Sequence, residues 1–159
     1  MFPNSIKDAK VGFMSPDKDA MKNPSYRQVC SGTTGHVEVL NVELNETTSD
    51  LFEELIRFFF SFHDPTTLNR QGNDVGTQYS SIIFCSDQEQ TKIANKVKDE
   101  LQERVSKGKI KTYVEGTIHT GIVDLTDFYV AQDEHQEYLA KNPLGYCNHR
   151  FRFKDWPEL

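Results

Sequence analysis

Apolar residues along this chain first alternate and then recur at helical spacing. Lys10-Val11-Gly12-Phe13 reads as a short strand, followed by the polar loop MSPDKDAMKNPSY. Residues 36–44, HVEVLNVEL, place Leu40, Val42 and Leu44 on one face of a second strand. Glu38 shares that parity, so a carboxylate points with three aliphatics, either at the rim of the core or into a pocket. Asp50 and Glu53 have the spacing of a capping box, and Phe52, Leu55, Ile56 and Phe59 follow at helical intervals. That helix ends near His63-Asp64-Pro65, because proline cannot continue it. QYSSIIFC predicts another strand. Ser86 and Glu89 then cap a helix with Ile93, Val97, Leu101 and Val105 on one face, which Gly108 closes. Ile110–Glu115 predicts a further strand, and DEHQEYLAKN a short helix ended by Pro143. Strands alternating with helices give an α/β (α+β) two-layer sandwich, helices packed on a mixed sheet.

Composition narrows the function classes. The 159 residues are enough for one domain with a sizeable core. With 24 acidic against 18 basic residues and no basic stripe, nucleic acid and anionic membranes are not the expected partners. The start, MFPNSIKDAKVGF, lacks a basic cluster followed by an apolar run, so no secretory signal is expected, and LIRFFFSF is too short to span a bilayer. Cys30, Cys85 and Cys147 are an odd number without CxxC spacing, which argues against a disulfide framework and for a reducing, cytoplasmic setting.

Four features carry candidate chemistry. The polar loop from Asn69 to Tyr79, with Gly72 and Gly76, is either functional or a solvated Ω-loop in which Asp74 caps a turn. Glu38, if desolvated, becomes a proton donor near neutral pH; otherwise it is a glutamate at the edge of a sheet. His36, His63, His135 and His149, and Cys147-x-His149, lack the paired spacing of known metal sites, so no metal is expected. Cys85 reads as core filler. Cys147, after Pro143 and Gly145, lies in a stretch too irregular for a helix or a buried strand, as a thiol with somewhere to reach.

Taken together, NPSYRQVCSGTTGHVEV (23–39), HDPTTLNRQGNDVGTQY (63–79), HQEYL (135–139) and KNPLGYC (141–147) resemble the A-type peptide methionine sulfoxide reductases, which act on the S epimer. The resemblance runs from about Val11 to Cys147. It implies a ferredoxin-like sandwich and reduction of methionine sulfoxide in proteins and as the free amino acid. It also implies no metal or organic cofactor, thioredoxin as external reductant, and a monomer. By motif, Glu38 in GHVE matches the proton-donating acid, Tyr26 in NPSY and Tyr79 in GTQY the phenols that bind the sulfoxide oxygen, and Asp74 in QGND the active-site aspartate. Cys147 in GYC matches the resolving thiol, and a flexible tail suits a group that must swing.

The principal departure is that no Gly-Cys-Phe-Trp string, the family's attacking cysteine and its aromatic pocket, occurs in the chain. Met1 and Phe2 then read as starting partway through the helix that follows that motif. The expected organisation is an N-terminally incomplete reductase domain over 1–140, short of its first strand and with two sheet edges left open. A tail over 141–159 carries Cys147. Phe13, Ser80 and Gln132 stand where the family usually has tyrosine, arginine and glutamate. The alternative readings are a non-catalytic module binding oxidised-methionine peptides or thioredoxin, a rerouted enzyme attacking through Cys30 or Cys85, and a scaffold without sulfur chemistry.

Overall fold

A computed structural model describes residue 2 and residues 4–159. Strand β1 (Ile6–Met14) pairs antiparallel with β2 (Val37–Leu44) on one side and β7 (Tyr129–Val130) on the other, so this sheet runs β2-β1-β7. Gly12 lets β1 and β7 approach: a Cβ there would lie 2.3 Å from the Tyr129 carbonyl oxygen. A small hairpin joins β3 (Arg70–Gln71) to β4 (Asp74–Val75), and β5 (Ile82–Cys85) lies parallel to β6 (Gly121–Asp124). The expected α/β architecture is present, with its sheet in three pieces. Among the described residues β2 and β5 each keep one edge without a strand partner.

Among the described residues four α-helices complete the fold: α1 (Tyr26–Cys30), α2 (Ser49–Phe62), α3 (Gln88–Ser106) and α4 (Tyr138–Lys141). The main core joins Phe52, Ile56 and Phe60 of α2 to Ile93, Val97 and Leu101 of α3, and both to Ile83 and Cys85 of β5. Each such side chain is worth about 1.5–3 kcal/mol when fully buried. A smaller core of Phe13, Val29 and Ala131 seats α1 on the first sheet. No described helix is long and apolar enough to cross a membrane.

Both expected capping boxes are replaced. Thr48 caps α2 by accepting from the Leu51 amide, which leaves Glu53 to pair with Arg57 at 2.6 Å and Lys96 at 2.9 Å. Asp87 caps α3 by accepting from the Gln90 amide, one residue later than predicted. Gly108 does close α3, at φ +67°.

Residues 110–115 are not a strand. Side chains take the amides a ladder would need: Val114 N donates to Asp64 Oδ2 at 2.9 Å and Glu115 N to Thr66 Oγ1 at 3.0 Å. The predicted helix over DEHQEYLAKN is split, with a 3-10 turn at Asp133–His135 and α4 separated by Glu137 at φ 50°. Phe2 is not helical and meets Phe58 edge-on, while Met1 lies outside the described residues.

Candidate functional site

The site begins with β2. Glu38 sits opposite Phe13 of β1, whose ring approaches Tyr26 to 6.2 Å. Ser25 and Gln28 form a reciprocal capping box at α1, which fixes Tyr26 as the first helical residue. The Tyr26 ring then stacks on His135 at 4.2 Å. Glu38 shares its strand face with Leu40 as parity predicts, but Leu40 is 59% exposed, so that face is no continuous core. The acid stands at a rim.

Tyr79 arrives from the 3-10 turn Thr77–Tyr79 at the end of the polar loop. Gln78 fastens this turn to α1, its Nε2 donating to the Cys30 carbonyl at 3.2 Å. Asp74 comes from β4, and Asn148 Nδ2 of the C-terminal segment donates both to its carboxylate and to the Gln71 carbonyl.

These groups are coupled electrostatically. Glu38 is exposed, yet desolvation by the surrounding protein, followed by the Asp74 charge, raises its pKa above the ordinary carboxylate value. The Tyr26 phenol is pushed up first by a hydrogen bond with the Cys30 thiol, then by burial, and then by the negative charges that Cys30, Glu38 and Tyr79 would carry. Tyr79 is raised by burial, then by Glu38, Asp74 and Cys30. A carboxyl of raised proton affinity beside two phenols that keep their protons is a set of polar groups suited to a polar oxygen.

The structure therefore brings Tyr26, Glu38, Asp74 and Tyr79 together. It adds Cys30, offered by the sequence only as an alternative attacking thiol, which α1 places one turn after Tyr26. Cys147 is exposed, with Sγ 3.9 Å from His149 Nδ1, and it adjoins the cluster through the next residue, Asn148. Gly72 admits that residue: a Cβ at this position would lie 2.7 Å from Asn148 Oδ1.

The tail is not loose as a whole. Arg150 N donates to the Phe62 carbonyl at 3.1 Å and Arg152 N to Ser61 at 2.8 Å. Trp156 lies beside Arg57, whose guanidinium carbon is 4.5 Å from the ring centroid. The segment after Cys147 is docked because its aromatic and arginine residues find partners on α2 and α3. Only the exposed stretch around Leu144, before the thiol, lacks such anchors among the described residues.

Comparison with known proteins gives a concordant result. The model of the family "Peptide methionine sulfoxide reductase" matches residues 3–156. The chain is 44% identical over 143 residues to the peptide methionine sulfoxide reductase MsrA of Trichodesmium erythraeum, covering 89% of this chain and 75% of that protein. It is 45% identical over 125 residues to the protein of the same name from Azotobacter vinelandii, covering 79% of this chain and 55% of that one. The crystal structure of Mxr1 from Saccharomyces cerevisiae in reduced form superposes with a TM-score of 0.78 at 40% identity, over 94% of this chain and 80% of that chain.

Proposed function

This chain belongs to the peptide methionine sulfoxide reductase family, and from that premise we propose that its site acts on methionine-S-sulfoxide, in proteins and as the free amino acid. The observation that carries this reading is Glu38, its proton affinity raised, among the phenols of Tyr26 and Tyr79. The phenols donate hydrogen bonds to the sulfoxide oxygen and Glu38 supplies it a proton. A cysteine thiolate attacks the sulfur, the sulfur–oxygen bond breaks, and the hydroxyl passes to the cysteine as a sulfenic acid. Methionine leaves as the thioether, reduced by two electrons. Cys147 then condenses with the sulfenic acid, releasing water and forming a disulfide, which the dithiol of thioredoxin reduces. The chemistry needs no metal or organic cofactor. Cysteine usage supports a cytoplasmic setting, and the chain acts as a monomer.

No Gly-Cys-Phe-Trp string is among the 159 residues, so this chain supplies the oxygen-binding and recycling groups of the reaction. A second reading has Cys30 as the attacking thiol, favoured by its place one helical turn after Tyr26 in α1 and its electrostatic coupling to that phenol. The test is thioredoxin-coupled reduction of methionine-S-sulfoxide alongside direct binding. We expect the chain as it stands to bind the sulfoxide without turnover, and the same chain joined behind a Gly-Cys-Phe-Trp segment to reduce it. In the joined form Glu38→Gln lowers turnover about 100-fold or more, and turnover declines as rising pH ionises Glu38. Turnover by the unaltered chain, abolished by Cys30→Ser, establishes the second reading. Binding without turnover in both forms would make this a non-catalytic module. Absence of binding overturns the proposal.

A further inference from the structure

One buried amide beside the phenols is used by none of the chemistry above. Gln78 is 6% exposed, although it comes from the polar loop and directly precedes Tyr79. Its Nε2 donates to the Cys30 carbonyl at 3.2 Å, across a separation of 48 positions in the chain. Its Oε1 is buried and has no hydrogen-bond partner among the described residues. Two glycines leave room for that end: a Cβ on Gly76 would lie 2.3 Å from Oε1, and one on Gly32 3.3 Å. A buried acceptor without a partner is destabilising, so packing alone would favour an apolar side chain of the same shape. What the amide adds over such a side chain is the bond from Nε2.

That bond joins the two elements that carry the phenols. Tyr26 and Cys30 are the first and last residues of α1. This helix is fixed independently, since Val29 is fully buried in the core that holds Phe13, and Ser25 and Gln28 cap its start. The turn Thr77–Tyr79 is held less firmly. Tyr79 N donates to the Gly76 carbonyl at 3.1 Å, and Ser80 Oγ ties the end of the turn to Asn69 Oδ1 of the same loop at 2.7 Å. Among the described residues the Gln78 bond is the turn's one hydrogen bond to α1. A 3-10 turn of three residues has few bonds of its own, and those of poor geometry. The tie to α1 therefore decides where the Tyr79 hydroxyl stands relative to that helix.

We infer that Gln78 is a positioning residue for sulfoxide recognition: by tying its turn to the end of α1, it sets the hydroxyls of Tyr79 and Tyr26 so that one oxygen accepts from both. The inference rests on the oxygen-binding role of the two phenols. Gln78 acts through Tyr79, so losing its donor costs no more than losing that hydroxyl, about fivefold in affinity for one ordinary hydrogen bond.

The test is a double-mutant cycle of Gln78→Met with Tyr79→Phe, read as binding of N-acetyl-methionine-S-sulfoxide N-methylamide to the chain by NMR. Methionine fills the slot without a donor. Gln78→Met should weaken binding about fivefold where Tyr79 is present, and leave it unchanged within about twofold where Tyr79 is already phenylalanine. Equal losses in the two backgrounds overturn the inference, because general damage to the fold does not depend on one hydroxyl. Undiminished binding by Gln78→Met overturns it as well. The unaltered chain supplies a second measurement: the side-chain amide protons of Gln78 should shift together with the Tyr79 ring as the sulfoxide is added. A moving ring with a silent amide overturns the inference even if Gln78→Met fails to fold. Silent rings at both Tyr26 and Tyr79 in the unaltered chain overturn the oxygen-binding role instead.

Discussion

At the scale of single residues, the site and the core impose opposite demands on titratable groups. His63 is 4% exposed, with Nε2 2.8 Å from Ser81 Oγ and Nδ1 2.6 Å from the Phe59 carbonyl oxygen. Burial drives its pKa down from 6.5 to about 4. The unfolded chain therefore binds more protons between those two values, and stability falls as pH drops through that window. The loss attributable to this residue is about 3 kcal/mol once pH is below 4. Urea midpoints measured from pH 7 to pH 4 should show the decline, and His63→Gln should flatten it. None of this was legible in HDP, where the histidine read as a residue near a helix end and a metal candidate without the spacing for one. Strand parity left Glu38 either at a rim or in a pocket, and the structure selects the rim. The pKa of Glu38 is raised partly by Asp74, thirty-six positions along the chain, which no local pattern reveals.

At the scale of elements, α2 and α3 follow their apolar spacing because their buried stripes supply most of the core, and period is what a sequence displays best. The segment from Ile110 to Glu115 departs from its pattern for a nonlocal reason. Asp64, 2% exposed, accepts from Thr66 N at 3.0 Å, from the Thr66 hydroxyl at 2.5 Å and from Val114 N at 2.9 Å. Tyr113 adds its hydroxyl to the Phe60 carbonyl at 2.6 Å. One carboxylate thereby converts a β-favouring string into a strap over the end of α2. Asp64→Ala removes a buried acceptor from three donors, two of them on buried Thr66, and should cost about 3 kcal/mol. Chemical denaturation measures the loss, and hydrogen exchange should show the Val114 and Glu115 amides deprotected ahead of those in α3.

At the scale of the whole molecule, the last residues belong to the fold. Trp156 stands between Arg57 and Arg104, 4.5 and 5.4 Å from their guanidinium carbons, and its Nε1 donates to the Arg57 carbonyl at 3.4 Å. Phe153 packs edge-on against both Trp156 and Tyr113. Trp156→Ala should cost about 2 kcal/mol in packing and cation–π attraction, seen as a melting temperature lower by about 4–8 °C. RFRFKDW alternates over only four residues and forms no strand, so its docking had no signature in the sequence; the helices that receive it did. The fastening stops at Asn148, directly after Cys147, and there it grips Asp74. The sulfur consequently hangs on a leash about one residue long while that grip holds, some 4 Å from Cα to Cα. To travel farther it must let go of the very carboxylate whose charge raises the proton affinity of Glu38. In the proposed reaction, departure of the thiol strips Asp74 of a donor, so movement of the sulfur and the proton affinity of the acid depend on the same contact.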